Sequence, residues 1–520
     1  MRLFFRDFRV LAITAGTALI LGGLFISCGG AETASEHPAK RSNAETLVVG
    51  MPGDPRSLDP HRTNDQPSSR VKKQIYDTLM YQTSDLTVTG DGLAESYEVI
   101  SPTEFAFTLR QGVHFHNGEE LTSEDVKFTF ERMRELNAPA AFLVNALERV
   151  EIIDDYNFVM HLSFPFGPFI THLAHPATAI LNKTAVLAAG ENYGRNPVGT
   201  GPFSFVEWRA GDSLTLSRYD DYFRGPAASE RIIFRIITED TQRAIALETG
   251  EVDLIYDVGP NDYRDLAALE EIKGFQTSGL TTFYMGFNAQ KKPFDDVRVR
   301  QAINLALDVE AATQVAFRGY ATTAKGPLAP TVQFANTGLP GYGHDVERAK
   351  ALLAEAGYPN GFSTSIWTND NPVRVMYAEI FQEQLRAVGI TASIEIVEWA
   401  PYLDRTARGE HDMFMLGWVA VTGDADYGLY SLFHSEEFGD AGNRTFWSND
   451  EVDRLLVEGK TNPDPAAREE AYLRAQEIIF EEAPWAFLAF RDELNATRDY
   501  VQGFEPHTAG HHILYQVYNN

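Results

Sequence analysis

Residues 363–418 read STSIWTNDNPVRVMYAEIFQEQLRAVGITASIEIVEWAPYLDRTARGEHDMFMLGW. Three short apolar runs, near 363–367, 392–398 and 412–417, are separated by helix-forming stretches at about 373–388 and 401–408. Strands that alternate with helices pair in parallel and are covered by those helices, so this region predicts an open α/β lobe. The three runs end in tryptophan, at Trp367, Trp399 and Trp418. Ligands of open α/β sheets bind beyond the carboxyl ends of the strands, which aims these indoles at one rim. Large flat rings there suit a ligand of apolar or extended character, although each could instead plug the sheet against a helix.

Outward from this stretch the same rhythm continues. Upstream, a helix at 297–308 carries Ala302, Ile303, Ala306 and Leu307 on one face. Asp345 caps another helix, whose stripe of Ala349, Leu352, Leu353 and Ala356 stops at Gly357 with Pro359 behind it. Downstream lies Thr422-Gly423-Asp424-Ala425-Asp426-Tyr427. Two carboxylates beside a glycine and an aromatic could receive an ammonium group, or could cap the helix that starts near Tyr427. Both readings stay open.

The first half mixes hairpins with strand-helix units. Phe105, Phe107 and Leu109 alternate with polar positions, Gln111-Gly112 turns the chain, and Val113 and Phe115 resume, which predicts a half-buried hairpin. Thr122 with Asp125 forms a capping box ahead of Val126, Phe130 and Met133. A second hairpin sets Phe203 and Phe205 against Leu214 and Leu216 around Ala210-Gly211. A strand at 232–237, a helix at 241–249 and a strand at 252–256 complete a strand-helix-strand unit.

At the N-terminus Arg2, Arg6 and Arg9 precede an apolar run ending Leu24-Phe25-Ile26-Ser27-Cys28-Gly29-Gly30. A basic head, a short greasy core and a small residue before the cut describe an export signal over residues 1–27. Ser27-Cys28 resembles a bacterial lipobox, in which cleavage leaves Cys28 as a lipid-bearing N-terminus. Cys28 is the one cysteine of the chain, so disulfide, thiolate-metal and cysteine-nucleophile chemistry are excluded. Residues 28–45 are small, polar and aperiodic, a flexible tether.

Composition narrows the classes further. The 520 residues, 44% hydrophobic and 22% charged, suit two or three globular lobes and exclude a disordered or multi-span chain. With 73 acidic against 44 basic residues, the net charge of -29 disfavours a nucleic-acid partner, which needs clustered positive charge.

Six stretches, in order, resemble one family. They are Pro55 to Pro60, Gly112 to Asp125, Val198 to Phe203, Pro293 to Asp308, Ala349 to Gly357, and Trp418 to Tyr427. Together they make nearly everything after residue 46 similar to the dipeptide/oligopeptide/nickel-binding family (family 5) of extracytoplasmic solute receptors that serve ATP-driven importers. The resemblance implies a periplasmic-binding-protein-like fold of mixed sheets and covering helices, in two lobes that close on a ligand like jaws. It places lobe I at 46–288 plus 491–520, with an inserted subdomain at about 95–198, and lobe II at 289–490. The crossovers would fall near 287–291 and 488–492. Gly199, Thr200, Gly201 and Pro202 would form the connector by which the subdomain rejoins lobe I. The protein would be a monomer without cofactor or chemistry of its own, tethered to a membrane by lipid. It would hand a peptide-like solute to an ABC permease with ATPase subunits. Receptors of this family also serve nickel complexes, sugars and opines.

Departures from the dipeptide pattern bear on the solute. Where such receptors carry an Asp three positions after the tryptophan, this chain has Val421, and where they carry an Arg ahead of the 373–388 helix it has Thr368. The segment Thr422 to Tyr427 looks more like the glutathione-binding and related peptide branches. That makes Thr422, Asp424, Asp426 and Tyr427, with Trp418, Trp399 and Trp367, the candidate ligand wall. Asp424 or Asp426 would supply negative charge, and Arg374 positive charge, because a buried ligand charge needs a partner. Arg374 could equally be a solvated helix-face residue.

Other residues fall short of a site. His114 and His116 share a strand face and His511-His512 are adjacent, yet zinc needs three or four convergent ligands, so no metal is expected. No Walker A loop, dinucleotide fingerprint or nucleophile elbow is present. Acidic pairs such as Asp220-Asp221 and Asp295-Asp296 leave a carboxylate-dependent secreted hydrolase as the rival class.

Overall fold

The computed structural model describes residues 45–136, 138–440 and 442–520. The expected signal segment, Cys28 and all but the last residue of the tether lie outside the described residues.

Strand β1 (Thr46–Met51) is buried from Leu47 onward. A run apolar on both faces belongs inside a sheet. β1 pairs in parallel with Arg231–Ile236 on one side and Leu254–Ile255 on the other, with helix Asp240–Glu248 between these two strands in sequence. Helix α1 (Gln66–Ile75) follows, started by Asp65 at its N-cap and by Pro67 in its first turn. The predicted hairpin forms between Phe203–Arg209 and Ser213–Arg218, with Phe205 opposite Leu216 and Gly211 at φ +75° in the turn.

The long strand β2 (Ile272–Phe287) begins the second half of the fold. After it come β3 (Ser363–Thr368), α2 (Pro372–Arg386), β4 (Thr391–Ile396), α3 (Trp399–Ala407) and β5 (Met413–Val419). β3 pairs in parallel with both β4 and β5, as the alternating sequence pattern predicts. Helices α4 (Ala425–Phe433), α5 (Asp450–Thr461) and α6 (Pro465–Glu482) lead to the last long strand, β6 (Trp485–Arg498).

β2 and β6 join the halves. They pair antiparallel from Ile272 opposite Arg498 to Gly286 opposite Trp485. The register shifts between Ser278 and Thr281, and a Cβ on Gly279 would come 2.4 Å from the Arg491 carbonyl, so the bulge requires glycine. One sheet therefore runs β4-β3-β5-β2-β6 and on through Leu254–Ile255, β1, Arg231–Ile236 and the hairpin, with Ala321–Thr323 added on β6. The expected crossover at 287–291 falls at the far end of β2, whereas the register shift faces Asp492 and Arg491.

Each half has its own core. Ile303, Leu353, Ile366, Phe381 and Ile390 pack with Phe287 on one side, and Leu47, Val49, Leu214, Ile232 and Phe234 on the other. Truncating Phe381 or Phe234 to Ala would cost about 3–5 kcal/mol through lost transfer energy and the cavity left behind. A separate four-stranded sheet, in the order Ala94–Ser101, Glu104–Leu109, Asn157–Leu162, Leu147–Ile152, is inserted between α1 and the hairpin. Its core of Phe105, Phe107, Phe130 and Met160 continues into Tyr427, Phe433 and Trp485, so the insert rests on α4 and β6 of the opposite half.

One expectation is corrected. Glu104–Leu109 does not form a hairpin with Val113 and Phe115, but pairs with Ala94–Ser101 and with Asn157–Leu162. Residues 113–121 satisfy their own backbone around Asn117-Gly118, with Phe115 N–H donating to Glu119 O and Leu121 N–H to Val113 O. That leaves nothing to pair with Phe105.

Candidate functional site

A cavity of about 810 Å³ lies between the halves. The first half contributes the Pro52–Arg56 and Asn64–Pro67 loops with Arg70; the second contributes Asn369–Asn371, Glu398–Pro401 and Leu416–Val419. The latter segments follow or end the parallel strands, the usual place for a ligand crevice.

Arg374 is held there by the start of α2. Asn371 caps that helix, its Oδ1 accepting from Arg374 N–H at 3.1 Å, and Arg374 Nη1 donates to Asn369 Oδ1 at 2.8 Å. The guanidinium lies 5.3 Å from the ring centre of Phe283 and 5.7 Å from that of Trp399. Burial pushes its pKa down to about 10. Among the described residues no carboxylate is ion-paired with it, and its buried Nε has no hydrogen-bond partner. It is a partly desolvated cation without a counter-charge among the described residues.

Aromatic groups frame this cation. Trp418 lies 5.1 Å from the ring of Tyr427, and its buried indole N–H is unpaired. Trp399 donates its indole N–H to Asp65 of the facing half at 3.4 Å. Tyr427 reaches His175 of the inserted subdomain at 3.0 Å, and Gln82 donates to the Val421 carbonyl at 2.9 Å, so both lobes meet here.

On the cavity wall a second charged cluster is largely paired within the protein. Arg70 holds Asp257 with two nitrogens, at 2.6 and 3.1 Å, and Arg491 bridges Asp257 and Glu493 at 2.9 and 3.0 Å. Burial would raise the Asp257 carboxyl, but Arg70 and Arg491 hold it well below the usual range. Asp257 sits at φ +48° immediately beyond Leu254–Ile255. Two cations and two anions share this cluster at the point where β2 and β6 shift register.

The sequence-derived candidates divide accordingly. Trp418, Trp399, Arg374 and Tyr427 line the cavity, as does Val421, where the dipeptide pattern has an Asp; Trp367, Thr422, Asp424 and Asp426 are not among its lining residues. Trp367 is buried under Arg405, 4.2 Å above its ring, and donates to Ser365 Oγ. Thr422 turns its hydroxyl to Asp424 N–H. Asp424 caps α4 and holds Arg468 with both oxygens, at 3.1 and 2.9 Å. Asp426 accepts from Tyr472 OH at 3.3 Å and lies 3.7 Å from His172; burial, opposed by Lys460, pushes its pKa up to about 7. Asp424 is thus paired with Arg468, and Asp426 is hydrogen-bonded to Tyr472. Asp65, Asp370 and Glu398 line the cavity instead. No motif flagged these three, or Arg444, which also lines it; only the adjacency of Glu398 to Trp399 hinted at one of them.

The connector lies elsewhere. A Cβ on Gly199 would approach Ile75 O to 2.1 Å and one on Gly201 would approach Ile75 C to 2.5 Å, while Thr200 bonds Asp77 at 3.0 Å. Gly199 to Pro202 is thus pressed against the end of α1. His116 Nε2 binds the Gly201 carbonyl and His114 Nδ1 faces Gly112 O. Asp220 pairs with Arg218, and Asp296 with Arg298 while capping its helix. Among the described residues no group of three His, Cys, Asp or Glu could hold a metal.

Comparison with known proteins agrees with this geometry. The model of bacterial extracellular solute-binding proteins, family 5 (middle), matches residues 90–440. The glutathione-binding protein GsiB of Salmonella typhi is 33% identical over 475 residues, covering 89% of this chain and 92% of its own. GsiB of Pectobacterium atrosepticum is 31% identical over 475 residues, with 89% and 91% covered. Among solved structures, the ABC transporter-associated periplasmic binding protein DppA of Helicobacter pylori, in complex with peptide STSA, has a TM-score of 0.86 at 31% identity, covering 91% of this chain and 98% of that one. The oligopeptide-binding protein AppA of Bacillus subtilis, in complex with a nonapeptide, has a TM-score of 0.85 at 26% identity, with 91% and 99% covered.

Proposed function

The chain belongs to the family 5 bacterial extracellular solute-binding proteins, and from that premise we propose that it captures a peptide or peptide-like solute for an ABC importer. The observation that carries the reading is Arg374, a partly buried guanidinium without a carboxylate partner among the described residues, set beside aromatic rings in an 810 Å³ cleft. A peptide carboxylate supplies its missing charge, and Asp65, Asp370 and Glu398 are at hand for the ammonium end. The relatives that bind glutathione, peptide STSA and a nonapeptide support this class of solute.

The cargo would be held by closure and released unchanged. The lobes bend where β2 and β6 shift register, and a ligand that touches both lobes shifts the open-closed equilibrium by its differential affinity for the closed form. The permease with its ATPase subunits then receives the closed monomer. Cleavage before Cys28 would leave a lipid-anchored, extracytoplasmic protein on the tether that ends at 45. The test is a calorimetric titration of di- to pentapeptides, with small-angle scattering of each mixture. Peptide binding that shrinks the radius of gyration is expected. A panel of peptides that gives neither heat nor compaction, while some other solute gives both, overturns the reading.

A further inference from the structure

The lining side chains of the cleft leave four buried nitrogens without a hydrogen-bond partner: Arg374 Nε, Trp418 Nε1, Arg444 Nε and Arg491 Nε. All are donors, and among the described residues no lining side chain leaves a buried acceptor unpaired. A desolvated donor without an acceptor is costly, so this wall is built for a guest rich in acceptor oxygens.

Arg491 is already bound to two carboxylates through its Nη2. Arg444 is not so served. It is 5% exposed, and its loop is fixed by His411, whose Nε2 bonds the Arg444 carbonyl at 2.9 Å. Its one ion pair, Nη2 to Asp440 Oδ1 at 3.2 Å, reaches a carboxylate that is 46% exposed, and a pair of that kind offsets little of the cost of burying a guanidinium. Arg374 and Arg444 line the same cleft. The wall therefore carries two under-compensated guanidinium groups where one peptide terminus could use only one.

Resting on the peptide-receptor reading, we infer that the cleft selects acidic peptides, with the terminal carboxylate on Arg374 and a second carboxylate on Arg444. Arg444 is then a specificity-determining residue, and neutral zwitterionic peptides are the poorer cargo. The Asp440 contact acts as a placeholder that the ligand oxygen joins or displaces.

The full-length protein should be titrated by calorimetry with Glu-Ala-Ala, Ala-Glu-Ala and Ala-Ala-Glu, each against its Gln counterpart. At least one Glu peptide should bind about tenfold tighter than its Gln partner, the gain expected of one charge-assisted contact. Arg444→Gln should erase that ratio, whereas Arg374→Gln should weaken both series. Arg444→Lys, which keeps the charge, should retain part of the preference and guards against a merely unfolded variant. Equal affinity for every Glu and Gln pair in the wild type, or a preference that survives Arg444→Gln, overturns the inference while the peptide reading stands. If no tripeptide of either series binds, the peptide reading falls and this inference with it.

Discussion

The second lobe buries charge in two neighbouring places and treats it in opposite ways. Behind α4, Asp424 is clasped by Arg468 and Asp426 is met by Tyr472, with Lys460 close by, so each carboxylate has a protein partner. In front, facing the cleft, Arg444 is buried and Arg374 partly so, and each has a buried Nε without a partner among the described residues. Matched charge behaves as scaffold, because removing one partner strands the other in low dielectric. Unmatched charge faces the solute, because a cation kept dry without an anion is stabilised only when a ligand brings one. The contrast teaches that the residue type near a cleft is less informative than whether its partner is already in place.

The comparison breaks first, and with the largest effect, at Asp424. Asp424→Ala leaves Arg468 buried without its anion and uncaps α4, so folding stability should fall by about 3 kcal/mol in urea denaturation. Peptide affinity of the folded fraction should stay within about threefold. A tenfold loss of affinity at unchanged stability would instead make Asp424 a ligand group and end the distinction. Arg374→Gln is the mirror experiment. Affinity for any peptide should drop by about 2 kcal/mol, roughly thirtyfold, while the unfolding midpoint of the ligand-free protein holds or rises. A fall in both would place Arg374 among the scaffold charges.

Proton linkage sharpens the comparison further. Burial raises Asp426 to about 7 in the folded chain, above its unfolded value, so the neutral form is favoured by folding. Its contribution to stability is therefore complete at acid pH and is lost as pH climbs through about 7. Asp426→Asn mimics the neutral form. The variant should be more stable than the wild type at pH 8, on the order of 1 kcal/mol, and the advantage should shrink as pH falls from about 7 and vanish below about 4. His172 and His411, which burial lowers to about 3, push the other way, losing stability as pH falls below about 6.5. Both proteins share those histidines, so the difference between the two melting profiles isolates Asp426. A difference that does not change with pH would show that Asp426 is ionised at every pH tested.

How far the sequence speaks depends on the distance over which the physics acts. Strands β3, β4 and β5 were legible because each is a short apolar run between helix signals, and Asp345 and Gly357 mark their helix by local hydrogen bonding and backbone freedom. The alternation of Phe105, Phe107 and Leu109 announced a strand, but period two does not say with whom it pairs, and its partner at Asn157–Leu162 lies some fifty residues on. The same limit governs the site. Trp399 and Trp418 reach the cleft because strand ends point there. Asp424 and Asp426 carry the right charge, yet nothing near them in sequence discloses Arg468, 44 residues away, which occupies the first. Arg444 stands in a loop without a motif, and its unpaired nitrogen exists only in three dimensions.

The smallest effect is expected at the mouth of the cleft, where Arg56 of the first lobe meets Asp404 of α3 at 2.7 Å. This pair crosses between the jaws, so it stabilises the closed form alone. Asp404 is 53% exposed, however, and water and salt screen such a contact to about 0–1 kcal/mol. Asp404→Asn should therefore leave folding stability untouched and speed peptide release by at most about fivefold, followed in stopped flow through the emission of the cleft tryptophans. Raising salt to about 0.5 M should bring the wild type toward the variant, since the pair lies within reach of counter-ions. A release rate that changes more than it does in Arg374→Gln would mean that an exposed, matched pair outweighs a buried, unmatched cation, which is the reverse of the ordering that the two faces of this lobe suggest.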